Sequence, residues 1–247
     1  MQIDEWGGGM SVELLNMDCM DYMRDLPDNA FDLAIVDPPY GRSEHGGTNR
    51  THAVLQKNGS RLIAHDGGYA KKDWDKVPPG PEYFAELARV SKHQIIWGAN
   101  YYAGMPAAGA IVWDKMNDGS DQSGAEIALN TLNERVDIVR YMWRGMMQGE
   151  GVGSSRQQGN KKLNERRIHP TQKPVKLYEW LLTNYAKPGQ RILDTHLGSG
   201  SSAIAAHYFG ADFVGCEKDP DYYEATVKRF NSETSQIDWI QAVETSA

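Results

Sequence analysis

The chain has 247 residues, 40% hydrophobic and 24% charged, with a formal net charge of −7. That allows a substantial core in one large or two small domains and argues against a globally basic nucleic-acid binder. Its two cysteines, Cys19 and Cys216, lie near opposite ends of the sequence, which excludes a disulfide scaffold or a CxxC metal knuckle and fits a reducing, cytoplasmic setting. No apolar run approaches the roughly 20 residues of a membrane span. The opening MQIDEWGGGM lacks the basic-then-apolar order of a signal peptide, and residues 1–10 read as a loosely held leader.

From there apolar runs alternate with helical patterns, the layout of a parallel α/β sheet. Val12–Met17 is predicted as a strand ending at Asp18, and Asp21–Leu26 as one or two helical turns stopped by Pro27. Phe31–Val36 is a strand that runs straight into Asp37-Pro38-Pro39-Tyr40. A long glycine-rich and polar stretch, residues 41–75, follows, and irregular connections of that length are functional or disordered. Pro81–Val90 has helical spacing at Tyr83, Leu87 and Val90, and Gln94–Trp97 and Ala110–Trp113 are strands. Ile127–Leu132 and Val136–Trp143 are predicted to pair antiparallel. A second irregular stretch spans residues 144–168. Pro174 then introduces a helix, Val175–Tyr185. Arg191–Leu193 is a strand, Ser201–Phe209 a helix closed by Gly210, Phe213–Cys216 a strand and Pro220–Phe230 a helix. One doubly wound sheet over residues 11–247 accounts for this order, with 41–75 and 144–168 as excursions from its edge.

The charge is uneven. Residues 140–176 carry nine basic side chains against Glu150 and Glu165 alone, so this window is +7 and the rest of the chain −14. A local basic zone on an acidic body suits a protein that meets a polyanion along one face. A solvated charged loop is the plainer alternative.

Two motifs carry chemistry. In RILDTHLGSGSSAIAA, residues 191–206, a strand ends at Asp194, Gly198 and Gly200 follow, and a small-residue helix starts. Such glycines let the backbone turn sharply and let a ligand approach the main chain beside a helix N-terminus. The next strand ends on Glu217, the position from which a carboxylate hydrogen-bonds a ribose diol. Position 203 is alanine, so the third glycine of a dinucleotide fingerprint is missing, and a nucleoside without pyrophosphate, such as S-adenosylmethionine, fits better. The second motif is Asp37-Pro38-Pro39-Tyr40. At the carboxyl edge of the sheet, the Asp37 carboxylate and the Pro38 carbonyl become two acceptors whose spacing the prolines fix. Two such acceptors suit a planar exocyclic amine, and Tyr40 offers a stacking face worth about 1–3 kcal/mol per base. A tight Asp-Pro turn with Tyr40 packed in the core is the other reading.

With DPPY at 37–40, HPTQKP at 169–174 and DTHLGSGSS at 194–202, the chain resembles the S-adenosylmethionine-dependent amino-methyltransferases that modify exocyclic nitrogens of DNA bases. The motif order is similar to their circularly permuted β group, over roughly residues 12–230. The resemblance implies a Rossmann-like, mostly parallel, seven-stranded sheet with an antiparallel edge strand. It implies a catalytic half (12–143), a target-recognition insertion (144–168) and a cofactor half (169–230). Asp37, Pro38, Pro39 and Tyr40 would hold a flipped base. Gly198 and Gly200 would line the cofactor's methionine end, Glu217 its ribose and Asp18 its adenine amine. Asp194 would orient the amino-acid portion, with Thr171 and Lys173 near its carboxylate. Where the family usually has phenylalanine, this chain has His196, expected to stack on the cofactor as a neutral ring.

Double-stranded DNA is the expected partner, contacted through Arg144, Arg156, Lys161, Lys162, Arg166 and Arg167, and a homodimer is a further expectation. The loop bearing Arg42, Arg50, Lys57, Arg61, Lys71 and Lys72 would close over DNA. Its histidines, His45, His52 and His65, form no zinc pattern, and no metal is expected. Trp97 and the Trp113–Lys115 strand end would line the base pocket, although Trp113 would serve equally as core. DPPY in this order points to N6 of adenine. N4 of cytosine and a lapsed, non-catalytic nucleic-acid-binding module are the alternatives.

Overall fold

In a computed structural model the protein is described over residues 2–6, 10–42, 54–55, 61–62, 72, 75–105, 109–117, 123–144, 147–149 and 164–244. Its strands in chain order are β1 (Gln2–Trp6), β2 (Met10–Leu15), β3 (Phe31–Val36), β4 (Val54–Leu55), β5 (Arg61–Leu62), β6 (Ser91–Trp97) and β7 (Gly109–Asp114). There follow β8 (Ala125–Asn130), β9 (Val136–Arg140), β10 (Met142–Arg144), β11 (Met147–Gly149), β12 (Arg191–Asp194) and β13 (Asp212–Cys216). The helices are α1 (Cys19–Arg24), α2 (Pro81–Val90), α3 (Val175–Tyr185), α4 (Ser201–Phe209) and α5 (Pro220–Glu244).

Among the described residues nine strands form the main sheet, in the order β1-β2-β13-β12-β3-β6-β8-β7-β9. Only β1 and β8 run against the rest, so the sheet is mostly parallel. It differs from the expected seven strands at both ends. Residues 2–6, read as a leader, form edge strand β1 on β2. At the other end, β8 and β9 do not pair with each other. Both flank β7, β8 antiparallel and β9 parallel. Two alternating segments joined by a short turn look like a hairpin in sequence, yet β7 has been inserted between them. The antiparallel β8 therefore lies inside the sheet, and the antiparallel edge strand is β1. Hairpin β4–β5 lies within the stretch 41–75 read as irregular, hairpin β10–β11 runs from the end of the predicted Val136–Trp143 strand into the stretch 144–168, and α5 continues past Phe230 to Glu244.

Helices cover both faces, the doubly wound arrangement. Tyr83, Leu87 and Val90 of α2 join Met23 of α1 against Ala34, Val36, Leu193 and Val214. On the opposite face α3 and α4 pack over Leu33, Ile35, Ile192 and Phe213, with Phe230 of α5. Helix α4 buries six consecutive residues, Ser201 to Ala206. Their small side chains let it approach both the sheet and α3. Gly200 and Gly210 bound it in left-handed conformation, with φ of +74° and +77°. No described helix is long and apolar enough to cross a membrane.

The strand order decides where a site can form. β12 and β3 are neighbours, yet the chain leaves them toward opposite faces, α4 on one and α2 on the other. A crevice opens at their carboxyl ends, the usual ligand position in such sheets. Leu33→Ala, at the buried centre of β3, is expected to lower unfolding free energy by about 2–5 kcal/mol. Val136→Ala, on the exposed face of β9, should change it by about 0.5 kcal/mol or less. Urea denaturation of the two variants measures the contrast.

Candidate active site

A cavity of about 650 Å³ lies across the β12–β3 crevice, within the range of small-molecule sites. Among the residues lining it are Asp18, Asp37, Pro39, Thr171, Lys173, His196, Gly198 and Glu217. Two motifs more than 150 residues apart in sequence, DPPY and LGSGSS, thus line one cavity.

On the DPPY side the backbone is held from three directions. The Asp75 carboxylate accepts hydrogen bonds from the backbone N–H groups of Tyr40 and Gly41, at 2.8 and 3.1 Å. The Tyr102 hydroxyl donates to the Pro38 carbonyl at 2.8 Å. Gly98, with φ +74°, lies so close under the Tyr40 ring that a Cβ there would overlap it. Tyr101 stacks on the same ring, centroids 4.8 Å apart and planes 26° off parallel. Arg42 in turn donates to the Tyr101 hydroxyl at 2.6 Å. Pro38 and Tyr40 support the wall from behind while Asp37 and Pro39 face the cavity.

Asp37 is the centre of a buried charge cluster. Its Oδ1 accepts from the Tyr40 hydroxyl at 2.6 Å, and its Oδ2 from Lys173 Nζ at 2.6 Å. Lys173, 4% exposed, also reaches Glu126 Oε2 at 2.8 Å, and the other Glu126 oxygen is paired with Lys115. Burial and the Glu126 charge push the Asp37 carboxyl up, while Lys173 opposes them. Burial works against the Lys173 ammonium, but Asp37 and Glu126 outweigh it and hold it above the ordinary lysine value. Burial also raises Glu126, yet Lys173 and Lys115 hold it well below the usual carboxylate range.

On the glycine-loop side, Glu217 Oε2 accepts from the Gly198 N–H at 2.9 Å and Oε1 from the Asp219 N–H at 2.8 Å. Burial raises its carboxyl. A Cβ added at Gly198 would meet nothing closer than 3.8 Å, whereas one at Gly200 would strike Thr226 at 2.6 Å. Gly198 therefore leaves open room beside the cavity, and Gly200 permits a close helix contact. Asp194 is 1% exposed and its two oxygens hold the loop itself, accepting from the His196 N–H at 3.0 Å and the Ser202 hydroxyl at 2.6 Å. Burial pushes its carboxyl up to about 7. Neither Asp194 nor Gly200 lines the cavity. Asp18 caps α1 through the Met20 N–H and pairs with Lys218 at 2.7 Å, and the Lys218 bond draws its carboxyl down.

Two histidines face this cavity. His196 bonds the Thr195 hydroxyl at 2.9 Å, which bonds Tyr83 at 2.6 Å. His169 pairs with the Thr171 hydroxyl at 3.1 Å and sets its ring edge-on to Tyr222. Burial lowers His196 to about 4 and His169 to about 3, so both rings are neutral at pH 7.

Of the basic side chains expected at DNA, Arg166 is exposed, whereas Arg167 lies over the buried Trp143 ring at 4.5 Å. Arg156, Lys161 and Lys162 lie outside the described residues, as do His45, His52, His65, Arg50, Lys57 and Lys71, and Arg144 and Arg61 are described by their strands only. Lys72 is held by Asp219 at 2.5 Å and Asp221 at 2.7 Å, beside the cavity. Trp113 is core, 1% exposed with its indole N–H on the Tyr141 carbonyl at 3.0 Å. Sequence reasoning passed over Glu126, Asp75, Tyr101 and Tyr102. Glu126 carried no signal, because its place follows from the pairing of β8 with β7. Asn-Tyr-Tyr directly after a strand end was a usable cue for the tyrosines.

The His196 ring gives a signed pH dependence. Unfolded, it takes a proton near pH 6.5. Folded, it stays neutral to about 4, so between these values acid favours the unfolded state. His196→Phe is therefore expected to gain stability relative to the parent as pH falls from 6.5 to 4, by about 1 kcal/mol per pH unit or less. Parallel denaturant titrations at pH 7.5 and 5 measure the difference.

Residues 96–228 match the profile of the N6/N4 DNA methylase family. The chain is 24% identical over 255 residues to the type II methyltransferase M2.DpnII of Streptococcus pneumoniae, covering 89% of this chain and 90% of that one. It is 22% identical to M.HinfI of Haemophilus influenzae, covering 87% of this chain and 67% of the other. Among solved structures it is similar to the M1.HpyAVI–SAM complex (TM-score 0.51, 18% identity, 88% and 99% of the two chains). It is also similar to the cytosine-N4-specific PvuII DNA methyltransferase (TM-score 0.53, 14% identity, 92% and 90%). The profile covers more than half of the chain and includes β12, the glycine loop and Glu217, and the chain belongs to the DNA methylase family.

Proposed function

We propose that this DNA methyltransferase transfers the methyl group of S-adenosylmethionine to N6 of an adenine flipped out of duplex DNA. The observation that carries the reading is that Asp37 and Pro39 face the same cavity as Gly198 and Glu217. An amine-holding tetrapeptide and a nucleoside-holding loop then serve one reaction.

The residues fit the cofactor. Glu217 presents a carboxylate at a strand tip for the ribose diol, Asp18 one for the adenine amine, and Gly198 leaves room beside the methionine arm. His196 and Thr171 line the same space, and Asp194 fixes the loop that shapes it. When bound, S-adenosylmethionine would supply a sulfonium methyl group for transfer to the amine nitrogen, leaving as a thioether, and Asp37 would take up the nitrogen's surplus proton and pass it to water.

The chain's own work is positional. The target amine lies inside the duplex, so the base must leave the stack. Its lone pair is delocalised into the ring, which makes it a poor nucleophile. Accepting one N–H at Asp37 and the other at the Pro38 carbonyl, which does not line the cavity in this structure, would localise that pair and aim it. The Pro38 carbonyl accepts from Tyr102 in this structure, and a carbonyl has a second lone pair for the amine. Stacking of the base on the Tyr40 ring, the role its motif implies, would need Tyr101 to leave the ring face it covers here. Exposed Arg42 and Arg166 would contact the phosphates, and a second copy would pack on the exposed Ile127, Val136 and Ile138.

Incubation with labelled S-adenosylmethionine and unmethylated duplex DNA, followed by digestion to nucleosides, is expected to place the label in N6-methyladenine. Label in cytosine alone would assign N4 chemistry, and DNA binding without transfer would leave a lapsed module. Asp37→Ala should reduce transfer at least about 1000-fold with cofactor affinity, by calorimetry, nearly unchanged. Parallel loss of cofactor binding would make Asp37 a structural or cofactor residue.

A further inference from the structure

We propose that Lys173, held between Asp37 and Glu126, is a positioning residue that keeps Asp37 an acceptor for the substrate amine and does not bind the cofactor's carboxylate. This rests on reading the site as an amino-methyltransferase.

The geometry accounts for every donor Lys173 has. An ammonium carries three N–H groups. Lys173 Nζ lies 2.6 Å from Asp37 Oδ2, 2.8 Å from Glu126 Oε2 and 3.1 Å from the Tyr40 hydroxyl. Its side chain is 4% exposed, with the rings of Trp97 and Tyr40 at 5.5 and 5.6 Å. No donor remains for a ligand carboxylate. Glu126 is the tether: it fixes Lys173 from β8 and is itself fixed by Lys115. Two carboxylates and two ammoniums thus sit together in the cluster.

The charge of Asp37 matters because only a carboxylate accepts the amine N–H with both oxygens unprotonated. A carboxylic acid would present its own proton to the same region. The groups facing Asp37 are Tyr40 on its own segment, Lys173 before α3, Glu126 on β8 with Lys115 behind it, and Tyr102 after β6. Asp194 at the end of β12 and Tyr178 on α3 lie within electrostatic reach. Of these, Lys173 is the cation in direct contact. Burial and Glu126 press Asp37 toward the neutral acid, and Lys173 opposes both. Removing Lys173 or Glu126 should therefore move Asp37 in opposite directions, which a merely structural role would not do.

The test is an NMR titration of the full-length, cofactor-free protein labelled with carboxyl-13C aspartate, the Asp37 signal being identified by its absence in Asp37→Asn. Lys173→Met is expected to move the Asp37 titration up by at least one pH unit, and Glu126→Gln to move it down. The acidic limb of single-turnover transfer to unmethylated genomic DNA should follow in each variant. Transfer by Lys173→Met at pH 7 should fall at least tenfold and recover as pH rises, and Lys173→Arg should restore most of it. The dissociation constant for S-adenosylmethionine should change less than threefold. A tenfold weaker cofactor with an unmoved Asp37 would overturn the proposal in favour of a cofactor contact. Shifts of the same sign in both variants, or none, would overturn it in favour of a structural ion pair. Should Lys173→Met fail to fold, Glu126→Gln decides alone, an unmoved or raised Asp37 refuting the proposal. The titration uses neither DNA nor cofactor, so a parent protein without transfer activity would refute the methyltransferase reading and leave this result separate.

Discussion

The contact on which the rest of the site depends is the buried ammonium of Lys173 shared by Asp37 and Glu126. It joins three segments: the tip of β3, the interior antiparallel strand β8, which lies on the other side of β6, and the turn that leads into α3. Taking such charges out of water costs several kcal/mol per ion, repaid only when the geometry is good and the remaining donors and acceptors are satisfied. Here they are, since Tyr40 and Lys115 complete the set. A cluster of this kind contributes little net stability over a well-packed apolar filling. What it provides is a fixed orientation for a carboxylate at the edge of a cavity.

A second buried pair does the corresponding work on the cofactor side. Arg229, on α5, is 5% exposed and reaches Glu165 at 3.1 Å, the Ser199 carbonyl at 3.1 Å and the Ser201 hydroxyl at 2.9 Å. Glu165 also accepts from the Val175 N–H at 2.9 Å, at the start of α3. One guanidinium therefore pins the Gly-Ser loop to the end of the 144–168 segment, and the planar fork of arginine suits several oxygens at once. Burial pushes Glu165 up to about 7, the cost of placing a carboxylate there. The loop that lines the cavity and the segment expected to meet DNA thus share a single anchor.

How much of this was legible in the sequence follows from the range of each signal. Helices α3 and α4 could be read to the residue, because proline at the start of one and glycine around the other are local punctuation. DPPY and LGSGSS were legible as chemistry because each motif is complete within a few residues. Strand pairing was not, since the insertion of β7 between β8 and β9 is a long-range fact that alternating residues cannot encode. The same limit hid Glu126, whose meaning comes from its place opposite Trp113. Lys173 was visible as a motif residue, but its three partners come from β3, β8 and the Tyr40 turn, so only the assembled structure shows where its ammonium is spent. His196 was legible as a departure from the family pattern, while its bond to Thr195 was not.

The order of strands also explains why the order of motifs along the chain can be permuted without loss of the site. Asp37, Gly198 and Glu217 lie just beyond the carboxyl ends of β3, β12 and β13, and the position of a strand in the sheet, not in the sequence, decides what it faces. β2 and β3 are consecutive in sequence yet are separated in the sheet by β13 and β12, which the chain supplies only after residue 190. Until those strands pair, Asp18 and Asp37 belong to two disconnected edges and there is no crevice between them. Loop-closure entropy must be met before such distant pairings are rewarded. The catalytic and cofactor stretches are therefore not two modules placed side by side. The late strands are the centre of the sheet, and they bring Gly198 and Glu217 into the gap that the early strands leave open.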